Sequence, residues 1–276
     1  MLHCGSFLLD LSHPLVMGIV NVTPDSFSDG GRHLLHDAAI AHALKLVDEG
    51  ADILDIGGES TRPGARIVEV QEELDRVMPV IQGLLNAGVP LSIDTCKPEV
   101  MRETLAAGVH MVNDINALLE PGALEVIVNS DAGVCLMHKQ GKPANMQNQP
   151  EYEDVVVEVM DFLRTRIAVL EAAGVARNRI VVDPGFGFGK TLAHNLSLLQ
   201  NLQKFSALDV PLLAGLSRKS MLGLITGQDV NHRLSASVAA ALLAVQRGAN
   251  IVRVHDVQAT CDALKVWNAV NYEYRV

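Results

Sequence analysis

The segment Gly18–Gly31, GIVNVTPDSFSDGG, places a carboxamide and an oxygen-rich loop directly after an apolar run. The run Leu15–Val20 predicts a buried strand that ends at Asn21. The loop that follows carries Asp25, Ser26, Ser28 and Asp29. Oxygen ligands of this kind suit Mg²⁺ that is shared with a phosphorylated substrate. The segment therefore predicts one wall of an active site.

Polar residues follow each of eight short apolar runs, and not only the first. One polar strand end is usually a cap or a turn residue, but eight of eight are hard to explain by turn chemistry alone. These residues include Asn21, Asp55, Asp94, Asn113, Asp114, His138, Asp183, Ser217, Lys219, Ser220, Arg253 and His255.

Three of these side chains, Asp94, Asn113 and Asp183, could converge in one pocket. Carboxylates that face paired N–H donors suit the edge of a guanidine-like or amidine-like heterocycle. Positive charge for a phosphate or carboxylate is available from Arg62, Arg253 and His255. We expect Ser217 to begin a helix whose N-terminus, with Lys219 and Ser220, favours an anion.

Several of these residues also have plain structural interpretations. Asp55 lies inside a buried run, so it is either a hydrogen-bonded core carboxylate or a substrate contact. His138 could cap a strand end, and Lys190 reads as a solvated loop lysine. Lys219 is the better candidate for a catalytic lysine, although Arg218 beside it could make it part of a phosphate patch. The Cys and His residues do not have zinc-site spacing.

Eight apolar runs alternate with helical patterns along the chain and predict a single-domain α/β fold, a parallel (β/α)8 TIM barrel over residues 15–276. An open doubly wound sheet is the alternative, but it would require a G-x-G-x-x-G turn after the first strand, where this chain has Asn-Val-Thr-Pro. The predicted strands are Leu15–Val20, Asp52–Ile56, Pro90–Ile93, His110–Asn113, Gly133–Met137, Arg179–Val182, Val210–Ala214 and Asn250–Val254.

Two segments outside the strands carry further predictions. Residues 1–14 are expected to form an N-terminal cap, with a short hairpin over 2–11 that closes the floor of the barrel. The segment Ser235–Val245, SASVAAALLAV, is apolar nearly all round, which predicts a helix buried on two sides. Core packing and a homodimer interface explain it about equally well.

Composition narrows the class of protein. The chain has 276 residues, 49% of them hydrophobic but only 4% aromatic, which favours an aliphatic α/β enzyme. A net charge of −10 argues against non-specific nucleic-acid binding. Four cysteines without a C-x-x-C pair, and no apolar run of about 18 residues, predict a cytoplasmic protein with free thiols.

Five motifs together resemble the bacterial dihydropteroate synthase family, over about Leu9 to Val270. They are Gly18–Gly31, Gly57–Gly64 (GGESTRPG), Asp183–Lys190 (DPGFGFGK), Ser217–Ser220 (SRKS) and Arg253–His255 (RVH). The resemblance implies a TIM-barrel transferase of folate synthesis that binds Mg²⁺. It would join 4-aminobenzoate to the diphosphate ester of 6-hydroxymethyl-7,8-dihydropterin and would be a sulfonamide target.

The resemblance also implies a role for each matching residue. The pterin set would be Asp94, Asn113, Met137, Asp183, Lys219 and Arg253, and the catalytic residues would be Lys219, Arg253, Asp183 and Asp94. The diphosphate set would be Asn21, Arg62, Arg253 and His255, with Asn21 near Mg²⁺ and Asp29 as a second candidate ligand. The aminobenzoate set would be Thr61, Pro63, Phe188, Lys219 and Ser220.

One position departs from the family pattern, and three other functions compete. Lys139, in the loop after the fifth predicted strand, stands where the family often has Met, and this difference affects only the detail of that loop. A pterin-dependent methyltransferase would not need Arg62, His255, Pro63 or Ser220. A non-catalytic pterin-binding paralogue should have lost loop or phosphate residues, and an aldolase would use Lys219 as a Schiff base.

Overall fold

The computed structural model describes residues 1–23, 32–60, 66, 68–141 and 150–271, with the backbone alone for 32–34. The strands are β1 (Leu2–Cys4), β2 (Phe7–Leu9), β3 (Leu15–Asn21), β4 (Ile53–Gly57), β5 (Leu91–Asp94), β6 (Met111–Asp114), β7 (Gly133–Met137), β8 (Ile180–Asp183), β9 (Leu213–Ala214) and β10 (Ile251–Val254). The helices are α1 (Arg32–Asp48), α2 (Val70–Leu84), α3 (Pro98–Ala106), α4 (Ala123–Val128), α5 (Val155–Ala172), α6 (Leu192–Gln200), α7 (Ser220–Thr226), α8 (Leu234–Gln246) and α9 (Val257–Asn271).

Strands β3 to β10 form one parallel sheet of eight strands. From β3 to β8 each strand pairs with the next, and β10 pairs with both β3 and β9. A parallel bridge between Val182 and Leu212 joins β8 to the residue before β9, so the sheet closes on itself. Helices lie between the strands, and the predicted (β/α)8 barrel is confirmed.

The seventh barrel strand is shorter than its sequence pattern predicts. The apolar run Val210–Ala214 yields only Leu213–Ala214 as β9. Pro211 has no N–H to donate, although its carbonyl accepts a hydrogen bond from the Val182 N–H at 3.0 Å. The Leu212 N–H donates to the Asn250 side chain at 2.9 Å and not to a strand.

The hairpin of β1 and β2 fills the N-terminal end of the barrel. Leu2 and Cys4 on β1 are fully buried. They pack against inward-facing residues near the starts of the barrel strands, namely Leu15, Met17, Ile53, Met111, Cys135, Val181, Leu213 and Ile251. This apolar plug leaves the opposite end, where the strands finish, as the face on which polar residues gather.

Glycines end several helices as the sequence predicts. Gly50, Gly108, Gly174 and Gly248 have φ values of 101°, 107°, 94° and 97°. Each lies just after a helix, where the left-handed conformation satisfies the last carbonyls at least cost to the backbone. These turns lead the chain into β4, β6, the segment before β8, and β10.

Helix α8 is buried on one face and exposed on the other. Ser237, Ala240, Ala241, Ala244 and Val245 are buried, whereas Leu234 and Leu243 keep 46% and 40% of their surface exposed. The predicted burial on two sides is therefore wrong for the single chain. Within the ranges described, none of the helices has the length and apolarity needed to cross a membrane.

Candidate active site

The ends of neighbouring strands carry the predicted polar residues at one level of the barrel. The register pairs Asn21 with Gly57, Gly57 with Asp94, and Asp94 with Asn113. Because the strands are parallel, these residues belong to one rim, where active sites of such barrels are found. Asp183 ends β8 beside Met137 of β7 in the same way.

Arg253 on β10 connects the strand ends across the barrel. Its Nε donates to Asp55 Oδ2 at 2.6 Å and its Nη2 donates to Asp94 Oδ2 at 2.8 Å. The Asn113 amide also donates to Asp55 Oδ2, at 2.9 Å. Asp55 is fully buried, and its Oδ1 has no hydrogen-bond partner among the described residues. Asp55 is thus a core carboxylate that orients two site residues.

This network sets the charge state of the rim. Burial raises the pKa of Asp94 to about 7, and the nearby Arg253 guanidinium opposes that rise. Burial by itself would lower the pKa of Arg253, but Asp55 and Asp94 outweigh it and raise the pKa. Arg253 therefore stays charged, and one guanidinium faces two carboxylates in a poorly solvated place.

Asp183 and Lys219 form the opposite side of the rim. Asp183 Oδ1 accepts a hydrogen bond from the Gly185 N–H at 2.7 Å. Burial raises the pKa of Asp183, while the Gly185 N–H and Lys219 act to lower it. Burial lowers the pKa of Lys219 to about 8, with Asp183 opposing that shift. Lys219 Nζ lies 4.2 Å from the centre of the Phe188 ring, a cation–π contact.

Two glycines leave room beside the carboxylates. A Cβ on Gly57 would lie 3.7 Å from Asp94 Oδ2, and one on Gly215 would lie 3.8 Å from Asp183 Oδ2. An apolar cluster of Ile115, Met137 and Phe188, with Cys96 against it, borders the carboxylates. The rim therefore combines hydrogen-bonding carboxylates with an apolar wall, as the recognition of a flat heterocycle needs.

His255 at the end of β10 is held by Ser217. Its backbone N–H donates to Ser217 Oγ at 3.2 Å, and its Nδ1 lies 3.0 Å from the same oxygen. The prediction that Ser217 begins a helix is wrong, because α7 begins at Ser220 with Lys219 as its N-cap. Arg218 has a φ of 56° and pairs with Asp256, which turns its guanidinium toward α9 and away from a phosphate patch.

Lys190 differs most from its predicted environment. It is only 3% exposed, so its interpretation as a solvated loop lysine is wrong. Its Nζ lies 3.0 Å from His138 Nδ1 and donates to the carbonyls of Gly185 and Phe188 at 2.9 and 3.0 Å. Burial, together with the nearby Lys190, lowers the pKa of His138 to about 3, so the ring is neutral. His138 therefore does more than cap the end of β7, because its ring also contacts the buried Lys190.

Four predicted site residues, Asp29, Thr61, Arg62 and Pro63, lie outside the described residues. Asn21 is described and is partly exposed at the end of β3. Within the described ranges no group of three or more His, Cys, Asp or Glu residues could hold a metal. A hard amide oxygen on the rim still fits Mg²⁺, because that ion often takes one or two protein ligands together with substrate phosphates.

Comparison with known proteins agrees with this geometry. The family model described as pterin binding enzyme matches residues 17–255. Dihydropteroate synthase of Escherichia coli K12 is 52% identical over 262 residues, which are 95% of this chain and 93% of that protein.

Two solved structures are also similar over nearly their whole length. Xanthomonas albilineans dihydropteroate synthase with 4-aminobenzoic acid has a TM-score of 0.91 and 55% identity, over 96% of both chains. Yersinia pestis dihydropteroate synthase in a sulfonamide drug complex has a TM-score of 0.93 and 50% identity, over 98% of both chains. The chain belongs to the pterin-binding enzymes and, among them, to the dihydropteroate synthase family.

Proposed function

We propose that this chain condenses (7,8-dihydropterin-6-yl)methyl diphosphate with 4-aminobenzoate and releases 7,8-dihydropteroate and diphosphate. The observation that carries the proposal is the Arg253 fork between Asp55 and Asp94 on the same rim as Asp183. Arg253, held in place by Asp55 and Asp94, can face a diphosphate while Asp94 and Asp183 face the N–H groups of a pterin. The full-length similarity to the family supports the same reaction.

In this proposal the pterin ring lies beside Gly57 and Gly215, next to the Asp94 and Asp183 carboxylates. Asp94 and Asp183 accept hydrogen bonds from its N–H donors, which gives paired and directional recognition. Asn113 supplies an amide from the neighbouring strand end, and Met137 contributes an apolar contact. Lys219 and Arg253 complete the pterin set. The carboxylates also favour the positive charge that develops on the dihydropterin methylene as its C–O bond breaks.

The diphosphate takes the electron pair of that C–O bond and therefore needs cationic neighbours. Arg253 supplies a fixed guanidinium, and the predicted Arg62 supplies a second one. Ser217 Oγ accepts from the His255 N–H and lies 3.0 Å from His255 Nδ1, so Ser217 fixes the orientation of the imidazole ring. We expect the ring to contribute a hydrogen bond to the diphosphate.

We also propose that Asn21 holds Mg²⁺ through its amide oxygen, with Asp29 as the second candidate ligand. The ion, when bound, would neutralise charge on the diphosphate. Asn21 lies level with Gly57 and Asp94 in the strand register, so a diphosphate beside Arg253 is close to the same rim.

The aminobenzoate enters from the side of Phe188 and Lys219. The lone pair of its amine forms the new C–N bond with the methylene, and the proton then leaves from an acidic anilinium nitrogen. A dedicated general base is therefore unnecessary. Lys219 is the N-cap of α7 and Ser220 its first residue. We expect both to contact the carboxylate of this substrate, with Thr61 and Pro63 as the remaining predicted contacts.

The proposed reaction is tested by measuring diphosphate release from the pterin diphosphate. We expect release that requires both 4-aminobenzoate and Mg²⁺, 7,8-dihydropteroate as the product, and competition between sulfonamides and 4-aminobenzoate. Methyl transfer from a folate methyl donor without diphosphate release would identify the methyltransferase alternative. Trapping of a carbonyl substrate on Lys219 by borohydride would identify the aldolase.

We further propose that the chain forms a homodimer through neighbouring helices α7, α8 and α9. Their outer surface, here named the apolar face, exposes large aliphatic side chains at Leu224, Ile225, Leu234, Leu243, Val266 and Val270. Leu224, Val266 and Val270 keep 69%, 67% and 78% of their surface exposed. Large exposed apolar side chains grouped on neighbouring helices favour a protein–protein contact, and a second copy would cover them symmetrically.

The dimer prediction is tested with Leu224→Glu, which puts a charge on the apolar face. We expect the unchanged chain to elute at twice the mass of one chain in light-scattering chromatography and the variant to elute as a monomer. The matched control is Val157→Glu, because Val157 on α5 is 51% exposed but lies outside the apolar face. A monomeric unchanged chain, or a dimeric Leu224→Glu variant, would contradict the proposal.

The location of the enzyme is a further part of the proposal. All four cysteines lie within the described residues and are free thiols, two of them buried. Free thiols are usual in a reducing compartment. We therefore place the enzyme in the cytoplasm.

A further inference from the structure

The loop that follows β8 is folded tightly against the segment that follows β7. Its glycines Gly185, Gly187 and Gly189 have φ values of 72°, 80° and 60°, in the left-handed region. A Cβ on Gly185 would lie 1.9 Å from the carbonyl oxygen of His138, and one on Gly189 would lie 2.4 Å from that of Gln140. The two segments therefore meet backbone to backbone, which only glycine permits here.

This packing brings carbonyl oxygens together around one buried ammonium group. Lys190 Nζ is 2.9 Å from the Gly185 carbonyl oxygen, 3.0 Å from that of Phe188 and 3.3 Å from that of His138. It also lies 3.0 Å from His138 Nδ1, which accepts because the ring is neutral. Burial lowers the pKa of Lys190 to about 7, and the negative charge of Asp183 opposes that fall. Converging carbonyl dipoles repel one another, so the protonated amine at their centre stabilises the arrangement.

Through Phe188, the contacts of Lys190 are connected to the side chains that border the site. The Phe188 carbonyl binds the ammonium, and the Phe188 ring lies under Lys219 Nζ at 4.2 Å. A Cβ on Gly187, between these contacts, would lie 3.2 Å from Lys219 Cδ. The position of the Phe188 ring therefore depends on the loop conformation that Lys190 holds.

Asp183 depends less on the same ammonium. It is the last residue of β8, it pairs with Met137 in the strand register, and its carbonyl accepts from the His138 N–H at 3.0 Å. The Phe188 backbone N–H, in contrast, makes a hydrogen bond within the loop, to Gly185 at 3.1 Å. Loss of the ammonium should therefore displace Phe188 more than Asp183.

We propose that Lys190 is a positioning residue for the second substrate: its ammonium holds the loop so that Phe188 and Lys219 form the aminobenzoate wall. The identity of that substrate rests on the proposed function. The loop geometry does not, because it follows from the carbonyl contacts alone. Lys190 does not itself touch either substrate.

The test compares Lys190→Ala and Lys190→Met with the unchanged enzyme in steady-state kinetics. We expect the KM for 4-aminobenzoate to rise at least 10-fold, and the KM for the pterin diphosphate to change less than 3-fold. The control is Lys204→Ala, since Lys204 is exposed and lies outside the site. Equal rises in both KM values, or no rise, would overturn the proposal.

Chemical rescue separates positioning from simple loss of packing. The alanine variant lacks the atoms of one propylammonium ion, so added propylammonium should lower its aminobenzoate KM several-fold. Propan-1-ol, of similar size but uncharged, should not lower it. Equal rescue by both compounds would show that filled volume is sufficient and would refute the role of the charge.

A structural measurement keeps the proposal separate from the proposed reaction. In a crystal structure of Lys190→Met, which retains most of the side-chain volume, we expect the Phe188 ring to leave its contact with Lys219 while Asp183 stays in place. An unmoved Phe188 would refute the positioning role even if the variant could not be assayed. Failure of the unchanged enzyme to form dihydropteroate would instead refute the reaction and leave this measurement valid.

Discussion

Replacement of Arg253 by alanine is expected to lower kcat/KM at least about 1,000-fold while the barrel remains folded. Removal of a single group that stabilises developing charge commonly costs about 100- to 1,000-fold. Arg253 would act on the diphosphate and also hold Asp94 and Asp55 in place, through contacts of 2.8 and 2.6 Å. The measurement is diphosphate release from the pterin diphosphate with saturating 4-aminobenzoate.

The same substitution also destabilises the fold, so the controls must distinguish a loss of stability from a loss of catalysis. Asp55 is fully buried, and loss of a buried ion-pair partner typically costs about 3–5 kcal/mol because the remaining charge is left uncompensated. We therefore expect a lower Tm together with an unchanged circular dichroism spectrum at 25 °C. Arg253→Lys should retain some activity, because it keeps the charge but not the two-pronged contact. Arg177→Ala, at an exposed pair with Glu171, should change neither property much.

A kcat/KM near that of the unchanged enzyme in folded Arg253→Ala would reject the assignment of Arg253 to the site. If Arg253→Ala does not fold, the same assay is applied to Arg253→Lys. In a folded Arg253→Lys variant, activity equal to that of the unchanged enzyme would lead to the same rejection.

Replacement of Asp183 by alanine is expected to lower turnover severely as well, but through the pterin. Its carboxylate would accept the N–H donors of the ring, and a lost hydrogen bond to a charged group costs about 1.5–3 kcal/mol. An apolar residue in its place leaves the buried donors of the substrate unpaired, which adds to that cost. We expect kcat/KM for the pterin diphosphate to fall at least about 100-fold.

Asp183→Asn separates the charge of this residue from its shape. The asparagine carbonyl can still accept from the Gly185 N–H, which Asp183 Oδ1 binds at 2.7 Å, so the loop should remain in place. The asparagine amide would meet the pterin donors with a donor of its own, so activity should stay low. The reference variant is Asp209→Asn at an exposed turn after Leu202–Leu208, which should keep full activity. Normal pterin kinetics in Asp183→Asn would contradict the proposed pterin contact.

Much of the fold was predictable from local sequence. The strands were recognised because parallel strands covered on both faces read as short continuous apolar runs. Gly50, Gly108, Gly174 and Gly248 marked the turns after four helices because glycine adopts the left-handed conformation at low cost. The strand near Pro211 is shorter than predicted, because an apolar pattern does not show that proline lacks the N–H of a strand residue.

The rim of the site was predictable for a related reason. Once eight parallel strands close into a barrel, all their C-terminal ends lie on one face, so Asp94, Asn113 and Asp183 had to lie on the same rim. The sequence could not say which partners those residues would take. The Asp55 contact with Arg253 joins residues 198 positions apart. It depends on closure of the barrel and on the register of β3, β4 and β10, which no local pattern contains.

The sequence by itself determined the alternating strands and helices, the glycine turns and the set of polar strand ends, because each follows from short-range backbone and burial preferences. Only the tertiary structure decided that Ser217 holds His255, that α8 keeps an exposed apolar edge, and that Lys190 is buried. A lysine in a glycine-rich loop reads as solvated until the loop folds against another segment. The carbonyls that bind the Lys190 ammonium converge only after that packing, so the sequence could not predict the cation inside the Asp183–Lys190 loop. The oxygen-rich segment that follows the strand end at Asn21, in contrast, is visible in the sequence.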